Sequence, residues 1–409
     1  MSSPRSAAAA AALFISLMGL TLAAAPTPAE ALACQGRPAT VAGPVGPEGD
    51  AVKVAPLDSW TTVEGLGGDD LICLVDGTAR GGRDPLFFAD AGTGDDVVDY
   101  QATYSATVTL GVGNDRFVGN DVGNRIYTGA SAPIPGGVGY FGQVDRDPDE
   151  VIGSRESDAV YSGDTGGYVA NDDRISTSGG SDNVFYAGAM TEAGALDNGT
   201  GSDRVFLVST WPTGTLDVDH TAHVATLAGA TVLRWTRVRD FVIDERPGAL
   251  RFRGGPGGDQ IRVGDVELPT PGPVMPVEVV TGRGRDRVEL AGRIDGSVRL
   301  GTGSDALALG GGCRRTTVHL RGAQVCTWTD GRSRTRLAGI EDLYLRGRDV
   351  LAVGTRAADR ISVLAHQVRA LGKSGDDVLS APRHHRVLVD GGNGTDRCFG
   401  QVLRRCELP

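Results

Sequence analysis

The stretches Gly65-Leu66-Gly67-Gly68-Asp69-Asp70-Leu71-Ile72-Cys73 and Asp90-Ala91-Gly92-Thr93-Gly94-Asp95-Asp96-Val97-Val98 carry one pattern. It runs glycine, any residue, aspartate, any residue, apolar residue. The pattern recurs at Gly113-Asp115-Phe117, Gly180-Asp182-Val184, Gly201-Asp203-Val205, Gly257-Asp259-Ile261, Gly284-Asp286-Val288 and Gly303-Asp305-Leu307. Gly347-Asp349-Leu351 and Gly375-Asp377-Leu379 follow, and Gly394-Asp396 closes the series with Cys398 in the apolar slot. Looser copies put Glu156, Asn171 or Ala357 two residues before Asp158, Asp173 and Asp359. Glycine tolerates φ > 0 and so marks a tight corner. Alternate residues of the extended segment that follows share a face, which turns the apolar slot inward. The acidic residue is expected to point out at the corner.

Composition agrees with a corner-rich chain. There are 409 residues, 61 of them glycine, with a formal net charge of −11. A glycine in a helix interior costs about 1 kcal/mol relative to alanine, so a helical fold is excluded. A hydrophobic content of 40% is too high for a disordered chain of this charge. Aromatic residues are only 5%, so the core is expected to be Val, Leu, Ile and Ala. Lys53 and Lys373 are the only lysines. Arginine carries the positive charge, as the codon usage of a GC-rich bacterial genome would give. The acidic balance argues against nucleic acid as a partner.

Spacing turns the pattern into an architecture. Asp96 to Asp115, Asp286 to Asp305, Asp359 to Asp377 and Asp377 to Asp396 are each separated by about two nonapeptides. This predicts an all-β fold: a parallel β-roll or β-helix solenoid with irregular coil lengths. A longer duplication overlies it. Gly199-Thr200-Gly201-Ser202-Asp203 recurs as Gly301-Thr302-Gly303-Ser304-Asp305, and Val238-Arg239-Asp240-Phe241-Val242-Ile243 aligns with Ile340-Glu341-Asp342-Leu343-Tyr344-Leu345. The expected organisation is an N-terminal solenoid segment over 34–177, two copies of a repeated unit over 178–277 and 278–380, and a C-terminal coil with a disulfide cap over 381–409.

These motifs resemble the RTX, or haemolysin-type, calcium-binding repeat, whose nonapeptide is G-G-x-G-x-D-x-U-x. The resemblance is a degenerate one that covers most of the chain. It implies a parallel β-roll with calcium held at the corners by loop carbonyls and aspartate carboxylates. The implied ligands are Gly68, Asp69, Asp70, Gly94, Asp95, Asp96, Gly113 and Asp115, then Asp182, Asp203, Asp259 and Asp305, and finally Gly375, Asp376, Asp377, Gly394 and Asp396. The residues themselves fit that chemistry. Calcium takes six to eight oxygens, and carboxylates lined up along an edge repel unless a cation lies between them. Two departures stand beside this. Asp286 and Asp349 are flanked by arginine and are expected to pair with guanidinium. Any of these aspartates could instead cap its own turn through backbone hydrogen bonds.

Residues 1–33 are expected to be a signal peptide. Arg5 provides the charge, an apolar run surrounds Leu13-Phe14-Ile15, and Ala31-Leu32-Ala33 gives a cleavage site before Cys34. Lipoprotein processing at Cys34 is the weaker option. No further apolar stretch is long enough to span a bilayer. In an oxidising exterior the six cysteines are expected to pair locally: Cys34 with Cys73, Cys313 with Cys326 across a hairpin, and Cys398 with Cys406.

No catalytic motif accompanies the repeat. His220-x-x-His223 lies in a strand-like stretch, where the two rings would face opposite sides, and His384-His385 reads as a loop. Trp211, Trp235 and Trp328 are placed in core or rim packing. The expected function is a secreted, non-catalytic calcium-binding protein. A β-helix polysaccharide lyase or hydrolase, with 130–149 as its candidate loop, and a surface adhesin or matrix protein are the alternatives. Beside calcium, a cell-surface polysaccharide is the candidate partner.

Overall fold

The computed structural model describes residues 33–34, 37–38, 40–41, 53–56, 60–75, 86–132, 142–164, 169–208, 214–243, 246–264, 273–329, 331–382 and 386–407. Among them the chain is all strand and winds as a two-sheet solenoid. Each coil contributes one strand to each sheet, and the apolar slots meet between them. No helix among the described residues is long and apolar enough to cross a membrane.

The second sheet runs without interruption from Trp60–Glu64 to Arg397–Phe399, every pairing parallel. Its inward ladder reads Val108, Ile126, Val160, Val184, Val205, Phe241, Ile261, Val288, Leu307, Leu343, Ile361, Leu379 and Cys398, all buried. Among the described residues the first sheet runs from Thr40–Val41 through Lys53–Pro56, Leu71–Val75, Val97–Tyr100 and Arg116–Val118. Its inward ladder of Ile72, Val98, Phe117, Val151, Ile175, Leu196 and Trp235 faces the other. The core is therefore aliphatic with a few aromatics inserted: Phe117, Phe241, Phe252, Tyr100, Tyr186 and Trp235 are all buried.

Twice the first sheet leaves the parallel pattern. Ala230–Thr236, Val224–Leu227 and Thr215–Asp219 form an antiparallel meander that joins Ala195–Asp197 to Ala249–Arg253. Arg332–Ala338, Ala323–Thr327 and Arg315–His319 repeat it between Ile294–Arg299 and Asp342–Val353. The second meander is closed by the Cys313–Cys326 disulfide, with Cα atoms 5.5 Å apart. Cys398–Cys406 ties the chain end to the last coil. Cys73 is buried and disulfide-bonded; Cys34, its expected partner, lies on the short strand Ala33–Cys34, and residues 1–32 lie outside the described residues.

Two readings are corrected. His220 and His223 do not lie on one strand: they occupy the turn between Thr215–Asp219 and Val224–Leu227, with His223 at φ 55°. Gly347-Arg348-Asp349 is not a tight turn like the other corners: strand Asp342–Val353 runs through it as it passes from second-sheet pairing up to Arg346 to first-sheet pairing from Asp349. Of the tryptophans, Trp235 is buried, Trp328 stacks under Arg293, and Trp211 lies outside the described residues, as do His384 and His385.

Where a corner glycine is left-handed, as at Gly94, Gly113, Gly284 and Gly375, stacking leaves no room for a side chain. Gly113 has φ +137°, and a Cβ there would overlap the Gly94 carbonyl oxygen of the coil above. Lys373 shows the converse, holding φ +86° with a side chain. Gly113→Ala should cost about 3 kcal/mol or more in urea unfolding, through strain and overlap. Gly229→Ala, at φ +87° in open space, should cost only about 1 kcal/mol. Lys373→Gly should stabilise by a few tenths to about 1 kcal/mol.

Candidate metal centre

The corner aspartates are inside the molecule. Asp70, Asp96, Asp115, Asp182, Asp203, Asp259, Asp286, Asp305, Asp377 and Asp396 are each at most 4% exposed. The expected outward orientation is thus wrong, and the reason is periodicity: an aspartate two residues before an inward apolar slot shares its face. The residues that do face out are one position earlier, Asp69, Asp95 and Asp376.

Inside, the carboxylates form rows along the two edges of the solenoid. On the edge leading into the first sheet, the Asp70 N–H donates to Asp96 Oδ1 (2.7 Å), Asp96 N–H to Asp115 Oδ1 (2.7 Å), and Asp115 N–H to Asp149 Oδ1 (2.8 Å). Asp149 N–H then donates to Asp173 Oδ1 (3.0 Å). There the row stops, because Asn171 Oδ1 accepts the Asp173 N–H itself. On the opposite edge the same bond links Asn124, Asp158, Asp182 and Asp203. It links Asp259, Asp286 and Asp305, ending on Glu341, and Asp359, Asp377 and Asp396, ending on Glu407. A glutamate closes each of these last two rows. Outside, a shorter exposed series runs the other way, each N–H donating to a carboxylate of the coil before: Asp95 N–H to Asp69, Asn114 N–H to Asp95 and Thr395 N–H to Asp376.

Two kinds of corner follow from the glycine two residues before the aspartate. At Asp158, Asp259 and Asp359 that position is Glu156, Gly257 or Ala357, and none of these has positive φ. There the N–H four residues back, of Ser154, Gly255 or Thr355, donates to the second carboxylate oxygen at 2.5–2.8 Å. At Asp115, Asp182, Asp286, Asp305, Asp377 and Asp396 the glycine is left-handed, with φ between 107° and 155°. In these six the second oxygen is buried with no hydrogen-bond donor. Asp286 belongs here despite its flanking arginines: Arg287 turns outward and pairs with Glu289 at 2.7 Å.

Burial pushes four carboxyls of the rows up, to about 7 for Asp115 and Asp182 and to about 6 for Asp305 and Asp377. Neighbouring carboxylates in the row push the same way, and the backbone N–H bonds oppose the rise. An exposed member behaves oppositely: bonds from Asn114 hold Asp95 below the usual range.

The densest acidic site was not among the sequence candidates. Asp145, Asp149 and Asp173 each place an oxygen within 4.8 Å of the others, all buried. Thr128 Oγ1 and Gly163 N–H donate to Asp145 Oδ2, and Ser162 Oγ donates to Asp173 Oδ2 (2.6 Å). Asn171 Nδ2 in turn donates to Ser162 Oγ (2.9 Å). Asp149 Oδ2 has no partner. Burial first, then the neighbouring carboxylates, drives Asp149 and Asp173 far above the carboxylate range. The donors are all oxygen, which suits a hard cation such as calcium and not zinc. The sequence signal is the acidic run Asp145-Arg146-Asp147-Pro148-Asp149, which lacks the glycine that flags the other corners.

Where the long row on the second edge breaks, at Val238-Arg239, no carboxylate follows Asp203. His220 fills the gap from the meander turn. Its Nδ1 lies 2.5 Å from Asp259 Oδ1, and its Nε2 meets the Val238 carbonyl. Desolvation is the largest influence on this imidazole and lowers its pKa, but the Asp259 carboxylate outweighs it, and the net shift is upward.

No known family model matches the chain, and no curated protein matches it.

Carboxyls raised above the ordinary 3.8 bind protons in the folded state that the unfolded chain has released. Their stabilising effect is complete below about pH 4 and is lost as pH rises through 6–7. Chelator-treated protein should therefore melt at a lower temperature at about pH 8 than at about pH 5. His220→Ala should cost about 2–4 kcal/mol below pH 6.5, by leaving Asp259 uncompensated. That cost should shrink as pH rises past the raised imidazole pKa. Thermal melts across pH for the two proteins check both.

Proposed function

We propose that this is an exported, non-catalytic calcium-binding solenoid of the RTX kind, in which the cation completes the corners and couples folding to the ion. The observation that carries the proposal is the second oxygen of Asp115, Asp182, Asp286, Asp305, Asp377 and Asp396: buried, without a donor, and in each case following a left-handed glycine. A buried ionised oxygen with no partner costs several kcal/mol, and a row of them repels. Either protons or a cation must neutralise it. Stacked glycine corners bring the carbonyls of successive coils close together, which adds neutral oxygens to the carboxylates, the mixture a calcium ion accepts. The Asp145, Asp149 and Asp173 group would hold a cation by the same chemistry, with Thr128, Ser162 and Asn171 fixing the carboxylates. An N-terminal export signal would deliver the chain to a calcium-rich exterior.

Calcium added to chelated protein at about pH 8 should raise the melting temperature, by the equivalent of about 2.7 kcal/mol per site at a hundredfold excess over Kd. The rise should shrink at about pH 5, where protons already neutralise the rows. Asp115→Asn with Asp182→Asn keeps the Oδ1 acceptors and removes two buried charges. It should stabilise the metal-free form at about pH 8 and reduce the calcium response. No calorimetric binding and an unchanged melt would overturn the proposal.

A further inference from the structure

We propose that the outward face of the first sheet between Arg332 and Arg404 binds a linear acidic polysaccharide. This stands apart from the calcium reading: it concerns the opposite charge on the opposite side of the sheet.

The face is continuous across seven strands in register. Arg332, Thr327, Arg315, Asp349, Gln367 and Arg386 form one row across them. Arg334, Val325, Thr317, Leu351, Arg369, Leu388 and Val402 form the next. Arg404 closes the face beside Asp390. At about 4.8 Å per strand the rows extend about 29 Å. Arg332, Arg334, Arg315, Arg369, Arg386 and Arg404 are all exposed, and none is in an ion pair among the described residues. Elsewhere several arginines are matched, Arg204 by Asp240, Arg251 by Asp217 and Glu278, Arg262 and Arg287 by Glu289, while others such as Arg283 and Arg299 stand singly among the described residues. Asp349 and Asp390 share the face, Asp390 already held by Arg405 at 2.7 Å, and Asp295 borders it, accepting the Arg334 N–H. On a chain of net charge −11, six guanidinium groups without an ion pair among the described residues thus share one surface.

The centre of this face is a groove of about 780 Å³, in which Leu351, Leu388 and Val402 lie among Arg315, Arg369 and Arg386. Guanidinium binds carboxylate through two parallel hydrogen bonds, and the aliphatic floor suits the apolar face of a sugar ring. The two rows present no Phe, Tyr or Trp. Single-stranded nucleic acid is bound by stacking on such rings, so an acidic glycan fits the face better.

The test uses the full chain with calcium present throughout, titrated by calorimetry with short oligogalacturonates. Binding is expected, weakening as salt rises to about 0.15 M and beyond. Arg369→Gln with Arg386→Gln should weaken it about tenfold or more with the melting temperature unchanged. Arg283→Gln, exposed at a corner away from the face, should leave it unchanged. A chondroitin sulfate arm separates carboxylate from sulfate recognition, and tighter binding of the sulfated chain would still support an acidic glycan. Absence of binding at low salt, equal loss in Arg283→Gln, or preference for single-stranded DNA would each overturn the proposal.

Discussion

Everything in this molecule is arranged around one hydrogen bond: a corner aspartate accepts the backbone N–H of the corresponding residue in the coil before it. That bond needs successive corners to lie directly over one another. Direct stacking in turn admits only glycine where the Gly94 and Gly113 backbones meet, and it brings the carboxylates of successive coils together. The glycine content and the buried acidity are therefore two consequences of one constraint. The bond also explains how the rows end. Each needs a final acceptor, and the chain supplies Asn171, Glu341 and Glu407, the last anchored next to the Cys398–Cys406 disulfide.

Such rows are electrostatically incomplete as they stand. A backbone N–H satisfies one oxygen of each carboxylate. Whether the other is satisfied depends on the local path of the chain four residues earlier. Where that path lets Ser154, Gly255 or Thr355 turn its N–H inward, the corner closes on itself. Where a left-handed glycine intervenes, it stays open to a proton or a cation. His220 shows a third solution: an imidazole carried in by the meander where no carboxylate follows Asp203. Charge is thus sorted by face, with negative rows between the sheets and unmatched arginine on the outside of the first.

The repeat was legible because its period is short and local. Glycine, aspartate and the apolar slot mark each corner within five residues, and the aspartate's inward direction follows from its even spacing to the slot. The cysteine pairs at 313–326 and 398–406 were legible for the same reason: both close short loops. Asp145 and Asp149 were not, since their corner has no glycine, and their proximity to Asp173 depends on coil lengths that differ from one turn to the next. Nor could Asp286 be separated from its arginine neighbours by order alone, because adjacent residues in an extended chain face opposite ways.

By itself, then, the sequence determined a parallel all-β solenoid, the position of all its glycine-marked corners but one and the residues that fill its core, because each of these is set by contacts within one coil. Only the tertiary structure decided which carboxylates are closed and which open, that His220 completes a row, and that arginines far apart in the chain share one face. Those depend on what lies one coil above or across a meander, and the number of residues between such partners varies too much for spacing to reveal them.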